Sequence, residues 1–339
     1  MKRKGTSRCT SHQVTVCVIL LIFILVGATA TVWYSFYSVA KDVDVVCKKA
    51  CGKRAHIAFI AADLSDDFMK SVLESVRKEA DERKIYVECM GEELTETYSK
   101  QELLGLAVAA KVDGIILEGD NQEETRKLIA DAKEKNIPVV TIRSDCTDSD
   151  RACFVGVNNY TLGHSYGNQI LNLSYHRSKK DVVILMDQRA EDLGQTIIYS
   201  SLCQTLEENP GVKFHIVPIQ IDKKLTFEAE EQIRNLFMEE QLPEIVVCLN
   251  QLYTNCAVQA IIDLNKVGMT ELLGFYDNPL IRQAIQEEVL NCSISIDTEQ
   301  MGRCCVESLQ DIWDTGNTSE YYSVDTFLMN KDTYKDLES

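Results

Sequence analysis

Proline and glycine are scarce in this chain: 5 Pro and 16 Gly in 339 residues. That excludes long flexible linkers, collagen-like repeats and low-complexity tracts. The five histidines (12, 56, 164, 176, 215) stand at no metal-ligand spacing. No CxxC pair occurs among the 13 cysteines, so zinc-ribbon and thiol-redox motifs are missing. There is no P-loop, no GxGxxG after the first strand, no HExxH and no GxSxG. No catalytic residue, metal site or cofactor is therefore expected, and the chain reads as a binding protein rather than an enzyme. Beyond the N-terminus the balance of charge is acidic. The net charge is −17, and because the first 13 residues carry four positive charges the remainder carries −21. Such a body is a poor partner for nucleic acid, whose phosphates need clustered Lys and Arg.

One further absence is local. Between Arg8 and Lys41 the chain has no charged residue. Residues 14–37 are long enough to span a bilayer as a helix at 1.5 Å per residue. Lys2, Arg3, Lys4 and Arg8 place residues 1–13 in the cytoplasm, and Trp33, Tyr34 and Tyr37 fit an outer interfacial belt. Two readings stand. One is a signal peptide cut after Ala28-Thr29-Ala30. The other, favoured by the length of the run, is an uncleaved anchor, a short linker over 38–55 and a body outside the cell membrane of a bacterium. Cys17 lies inside the apolar core, where a lipidation cysteine would not stand. Cys47 and Cys51, four apart, are open to a disulfide, an intermolecular bridge or free thiols. Cys89, Cys153, Cys203, Cys248 and Cys292 fall within apolar patterns and read as buried thiols.

What is present is an alternation of apolar strands and amphipathic helices. Strands are expected at 56–62, 85–90, 113–119, 137–142, 153–157, 181–187, 212–219, 244–250, 272–277, 291–296 and 321–329. Helices are expected at 66–83, 99–110, 121–135, 160–173, 194–208, 227–240, 255–266, 279–288 and 298–313. Strands that are apolar throughout and followed by helices mean parallel sheets covered on both faces. The two adjacent strands at 137–157 break the rhythm of a TIM barrel. Two doubly wound lobes fit better. Ligands of such sheets lie beyond the carboxyl ends of the strands. Arg143 and Asp145 close one strand, and Asn158 and Asn159 close the next. Asp63, Ser65, Asp66 and Asp67 follow the first strand, where they both cap a helix and offer polar contacts.

The segments HIAFIAADLSDDFMKSVLESVRKEA, VDGIILEG, KNIPVVTIRSD, CFVGVNNYTLGHSYG, ELLGFYDNPLIRQAI and SISIDTEQMGRCCVESL occur in this order. Together they resemble the type I periplasmic sugar-binding proteins, the family of ribose-binding proteins and LacI-type ligand domains, over residues 55–330. The resemblance implies an α/β fold of two Rossmann-like lobes joined by a three-segment hinge. Lobe one would be 55–157 plus 297–324, and lobe two 158–295 plus 325–339. It also implies a cleft that closes on a small sugar-like ligand. Phe68 matches an aromatic that stacks on a sugar, with Met69 in place of its aromatic neighbour. Asp66 stands at a frequent Asn, Asn158 or Asn159 matches a polar residue at a crossing, and Asn250 matches a cleft amide. The chain departs from the pattern at Arg143 (an acidic residue), Ile198 (an Arg), Tyr276 (an Asp, with Asp277 beside it) and Ile296 (a Gln). The ligand contacts implied are Asp63, Asp66, Phe68, Met69, Arg143, Asp145, Asn158, Asn159, Arg189, Asn250, Tyr276 and Asp277. Arg143 and Arg189 suit an anionic or modified sugar, and the competing reading of Arg143 is an internal ion pair with Asp63, Asp66 or Asp145.

Two functions follow from the resemblance. One is a tethered solute-binding protein feeding an ABC permease. The alternative is a ligand-sensing subunit that signals to a membrane sensor kinase. A repressor is excluded, because residues 1–55 hold an apolar span where a DNA-binding head would stand.

Overall fold

A computed structural model describes residues 55–92, 98–174, 179–187, 193–221 and 226–333. The tail 1–13, the span 14–37, nearly all of the linker 38–55 (with Cys47 and Cys51) and Arg189 lie outside the described residues. Among the described residues no helix is long and apolar enough to cross a membrane.

The chain runs β1 (Ala55–Ile60), α1 (Asp67–Glu82), β2 (Ile85–Cys89), α2 (Lys100–Ala110), β3 (Gly114–Glu118), α3 (Glu123–Glu134), β4 (Val139–Ile142) and β5 (Cys153–Val157). It continues through α4 (Asn159–Leu173), β6 (Lys179–Asp187), α5 (Leu193–Glu207), β7 (Lys213–Ile221), α6 (Thr226–Met238) and β8 (Ile245–Cys248). Then follow α7 (Gln251–Asp263), β9 (Glu271–Phe275), α8 (Pro279–Gln286) and β10 (Cys292–Ile296). The chain closes with α9 (Thr298–Thr315), β11 (Tyr321–Val324) and β12 (Thr326–Asn330).

Two six-stranded sheets form, in the orders β11-β5-β4-β3-β1-β2 and β12-β10-β9-β8-β6-β7. All described pairings are parallel except that of β12 with β10. The fold is thus two α/β lobes. The central strands β4, β8 and β10 are buried at every residue, as strands covered on both faces must be. Burying each Val, Leu or Ile side chain contributes about 1.5–3 kcal/mol. The edge strands differ: β7 alternates half-buried with exposed residues along most of its length, and β2 exposes Tyr86 between buried neighbours. The chain passes between the sheets three times, after β5, after β10 and between β11 and β12.

Helix starts follow local chemistry. Asp66 caps α1, Ser99 and Glu102 form a capping box on α2, and Asn278 caps α8 ahead of Pro279. In α1 the residues Phe68, Met69, Val72, Leu73 and Val76 form one buried face. Helices α4 and α5 pack closely through Gly163 and Gly167. A Cβ at Gly163 would lie 1.9 Å from Ser201 Oγ and 2.3 Å from the Ile198 carbonyl oxygen.

Two expectations are corrected. The run 321–329, expected as one strand, is two strands in different sheets, split at Asp325. The Asp325 amide donates to Gln300 Oε1 (2.7 Å), and its carbonyl accepts from the Asp297 amide (3.0 Å). Those bonds tie it to the neighbouring crossing instead of to either sheet. The helix expected from 255 begins at Gln251, because Asn250 accepts from the Tyr253 amide (2.8 Å) and starts it a turn earlier.

Candidate functional site: the cleft between the lobes

The carboxyl ends of the first sheet supply a charged cluster. Asp66 caps α1 with one oxygen, accepting from the Phe68 amide (3.0 Å), and receives Arg143 Nη1 on the other at 2.5 Å. Arg143 Nη1 also lies 3.4 Å from Glu118 Oε1. Glu118 is the last residue of β3, and its other oxygen accepts from the Ala62 amide (2.7 Å). Arg143 directly follows β4 with φ of +64°, a left-handed conformation unusual for a side chain of this size. Its guanidinium lies over the Phe68 ring, 5.7 Å from the centroid. Burial works against its charge, but Glu118 and Asp66, with Asp187 of the second lobe, hold its pKa above the ordinary range. Arg143 therefore stays charged and feels carboxylates of both lobes.

The second lobe presents amides and hydroxyls. Asp187, the last residue of β6, accepts from Asn250 Nδ2 (2.9 Å) and the Tyr253 hydroxyl (2.6 Å). Asn250 thus caps α7 with its oxygen and holds Asp187 with its nitrogen. Tyr276 directly follows β9, with φ of +81°. Its hydroxyl reaches the first lobe, 3.0 Å from Ser71 Oγ and 3.2 Å from the Asp67 carbonyl oxygen. Its ring meets Phe68 edge-on, with centroids 5.5 Å apart. Burial, with Asp66, Asp277 and Asp67 nearby, raises the phenol pKa despite the Ser71 hydrogen bond, so it remains a neutral donor. Gln251 Nε2 makes a second contact between the lobes, donating to Asp67 Oδ2 at 3.0 Å.

The sequence-predicted residues divide by these contacts. Asp66, Phe68, Arg143 and Tyr276 converge in the cleft, and Asn250 reaches it through Asp187. Met69 is buried in the core of the first lobe. Asp63 accepts from the amide and hydroxyl of Ser65 (2.8 and 2.6 Å), a tight turn before α1. Asp145 is held by Arg151, Thr141 and the Cys146 amide, and Asp277 by both arms of Arg282. Asn158 caps α4 through the Thr161 amide (3.1 Å), and Asn159 opens the same helix, half-buried. Of the alternatives for Arg143, the internal ion pair is present, with Asp66 and with Glu118. Glu118, Asp187 and Gln251 were not singled out from the sequence. Glu118 and Asp187 carried a usable signal, a carboxylate ending an apolar strand. Among the described residues no group of His, Cys, Asp and Glu is arranged to hold a metal ion.

The described cysteines are all free thiols. Cys89, Cys153, Cys248 and Cys292 are buried, whereas Cys203 is only half-buried. Burial pushes Cys292 up to about 12 and Cys89 and Cys153 up to about 11.

No curated protein sequence matches this chain. Solved structures do. XylFII is 25% identical with a TM-score of 0.69, covering 82% of this chain and 99% of its own, and it also appears as an XylFII-LytSN complex. GanP, a glucose-galactose binding protein from Geobacillus stearothermophilus, is 20% identical with a TM-score of 0.72, covering 83% of this chain and 98% of its own. A periplasmic solute-binding protein of an ABC transporter from Actinobacillus succinogenes, solved with D-allose, is 18% identical with a TM-score of 0.72. It covers 84% of this chain and 100% of its own. The last two likenesses speak to the fold alone. A family model described as periplasmic binding protein domain matches residues 57–318, both lobes and the cleft between them. Two α/β lobes, three crossings and that match together make this chain a member of the periplasmic binding protein family.

Proposed function

We propose that the protein is an extracytoplasmic receptor that captures a small neutral sugar in the cleft, without changing it, and hands it to an ABC-type importer. The observation that carries this is the charge pattern around Arg143. One guanidinium is faced by Asp66 and Glu118 from its own lobe and by Asp187 from the other. A sugar acid or sugar phosphate entering there meets more carboxylate than guanidinium. A neutral polyol instead offers hydroxyls that both donate to carboxylates and accept from Arg143 and Asn250. The sugars named for GanP and for the Actinobacillus protein support this ligand class. The uncharged run 14–37 supports a tethered receptor, with its binding body outside the cell membrane.

A second reading has its own support. XylFII is solved together with another protein, LytSN. A tethered receptor whose closed form is read by a membrane sensor kinase fits that precedent and the same cleft.

Isothermal titration of the full chain in detergent tests the ligand. Neutral aldoses, the matching uronic acids and sugar phosphates are titrated in parallel, and bound ligand is recovered. A neutral sugar that binds at least tenfold more tightly than its acid and returns unchanged is the expected outcome. Preference for the acid or phosphate refutes the reading. Crosslinking in native membranes then separates an importer's permease from a sensor kinase as the partner.

A further inference from the structure

Phe68 offers no free aromatic face. Only 4% of its surface is exposed. Arg143 covers the ring at 5.7 Å, and Tyr276 abuts it at 5.5 Å. Tyr276 comes from the opposite lobe and is itself 3% exposed. Its position is fixed from behind: its amide donates to the Ile294 carbonyl (2.8 Å), and its carbonyl accepts from Ser293 Oγ (2.6 Å). In front, its hydroxyl donates to Ser71 Oγ or the Asp67 carbonyl, and Ser71 itself donates to that carbonyl (3.0 Å). Gln251 adds its bond to Asp67 on the same helix start.

We infer that Tyr276 is the specificity-determining residue of this cleft, acting as a clasp that joins the lobes before any ligand arrives and withdraws Phe68 from ligand contact. Two consequences follow. The closed form is populated without ligand, because every group in the clasp belongs to the chain. The ligand is recognised by hydrogen bonds to charged and amide groups, without an aromatic stack on Phe68. The first consequence stands whatever the ligand; the second rests on the reading of the cleft as a sugar site.

The backbone at Tyr276 agrees with a selected role. A left-handed φ of +81° is costly for a bulky side chain and is kept where the surrounding structure requires it. Asparagine tolerates this region far better. Tyr276→Asn therefore removes the clasp while easing the backbone, and Tyr276→Phe removes only the hydroxyl.

Hydrogen exchange of the full chain in detergent, without ligand, reads lobe opening at amides 66–72. One net hydrogen bond corresponds to about a fivefold change in the open population. Tyr276→Phe is therefore expected to speed exchange there about fivefold. Tyr276→Asn also loses the ring contact, so its expected increase exceeds tenfold. Amides 103–108 of α2, remote from the cleft, should exchange unchanged and confirm that each variant is folded. Unaltered exchange at 66–72 in both variants overturns the clasp. The ligand half is read by titration: Phe68→Leu in the wild-type background should change affinity for a neutral sugar less than threefold. A loss above tenfold places the ring in the ligand site and overturns that half. Sugar binding with no clasp, or a clasp with no sugar binding, distinguishes failure of this inference from failure of the proposed function.

Discussion

Replacing Arg143 with glutamine removes one charge and leaves two carboxylates facing each other. Nη1 lies 2.5 Å from Asp66 Oδ2 and 3.4 Å from Glu118 Oε1, so those oxygens are at most about 6 Å apart. Two unit charges at that distance repel by about 3 kcal/mol at an effective dielectric constant of about 20. The carboxylate side chains keep 18% and 14% of their surface exposed, which lets solvent screen part of this. A destabilisation of about 2 kcal/mol remains, or a fall in Tm of roughly 3–4 °C for a body of this size. The sign with pH is set by which groups titrate. The Arg143 pKa is raised above its already high ordinary value, so its stabilisation is complete below that value and lost only as pH rises through the higher one. The wild type therefore loses nothing from this group between pH 5 and pH 9. In the variant the penalty is a charge–charge repulsion, so neutralising Glu118 as well should recover part of it. Glutamine carries the same left-handed backbone cost as arginine, so strain does not confound the comparison. Thermal unfolding of the full chain in detergent, with Arg143→Gln alone and with Arg143→Gln combined with Glu118→Gln, measures it. An equal loss in both variants would show that Arg143 acts by packing over Phe68, and no loss in the single variant would show that its ion pairs are inert.

Two other substitutions or treatments test the fold. Gly163→Ala drives a methyl group into Ser201 Oγ and the Ile198 carbonyl, and the carbonyl belongs to helix backbone that cannot rotate aside. Overpacking of this kind costs about 1–3 kcal/mol, so a Tm drop of several degrees is expected, and an unchanged Tm would mean that α4 and α5 separate freely. Burial raises the pKa of Cys248, Cys292 and Cys305, which leaves little thiolate to alkylate. In the native protein at pH 8, half-buried Cys203 should be modified by iodoacetamide before any of these three, as peptide mass spectrometry would show; early labelling of Cys248 contradicts the packing of the second lobe.

The strands were legible because the lobes bury them on both faces, so that VVTI and IVVC carry no polar alternation to confuse with surface strands, while the alternating serines of CSISI are as buried as its isoleucines. The split at Asp325 was not legible in the strand pattern, although the family resemblance put a lobe boundary between residues 324 and 325. Its partner Gln300 lies 25 residues earlier, and the run 321–329 is continuous in pattern. The start of α7 was missed for a related reason: its first turn is signalled by the cap Asn250, while its apolar rhythm emerges only later. In the cleft, polar residues at strand ends were the right signal, applied unevenly. Applied to DGIILEG and DVVILMD as it was to the strand before Arg143, it finds Glu118 and Asp187. Asp145 met the same rule but is paired six residues on with Arg151, a local contact that strand-end reasoning ignores.

The strained residues show why Arg143 and Tyr276 belong together. Among the described residues, eight that are not glycine have positive φ. Lys84, Lys111, Asn136, Asn265 and Glu288 end helices, and Asp148 lies in the loop before β5, where a left-handed residue reverses the chain. Arg143 and Tyr276 alone directly follow strands. The two sheets share one order, in which β4 and β9 hold equivalent places, so these two residues are counterparts in the two lobes. A glycine at either place would spare about 1–2 kcal/mol of backbone cost. Both positions carry large side chains instead, and both side chains reach the same ring, Phe68, from opposite lobes. Strain at equivalent positions with a shared target is hard to assign to turn geometry, which would need no particular side chain. It fits a cleft in which each lobe bends one strand end out of its preferred conformation to bring a side chain to the line where the lobes meet.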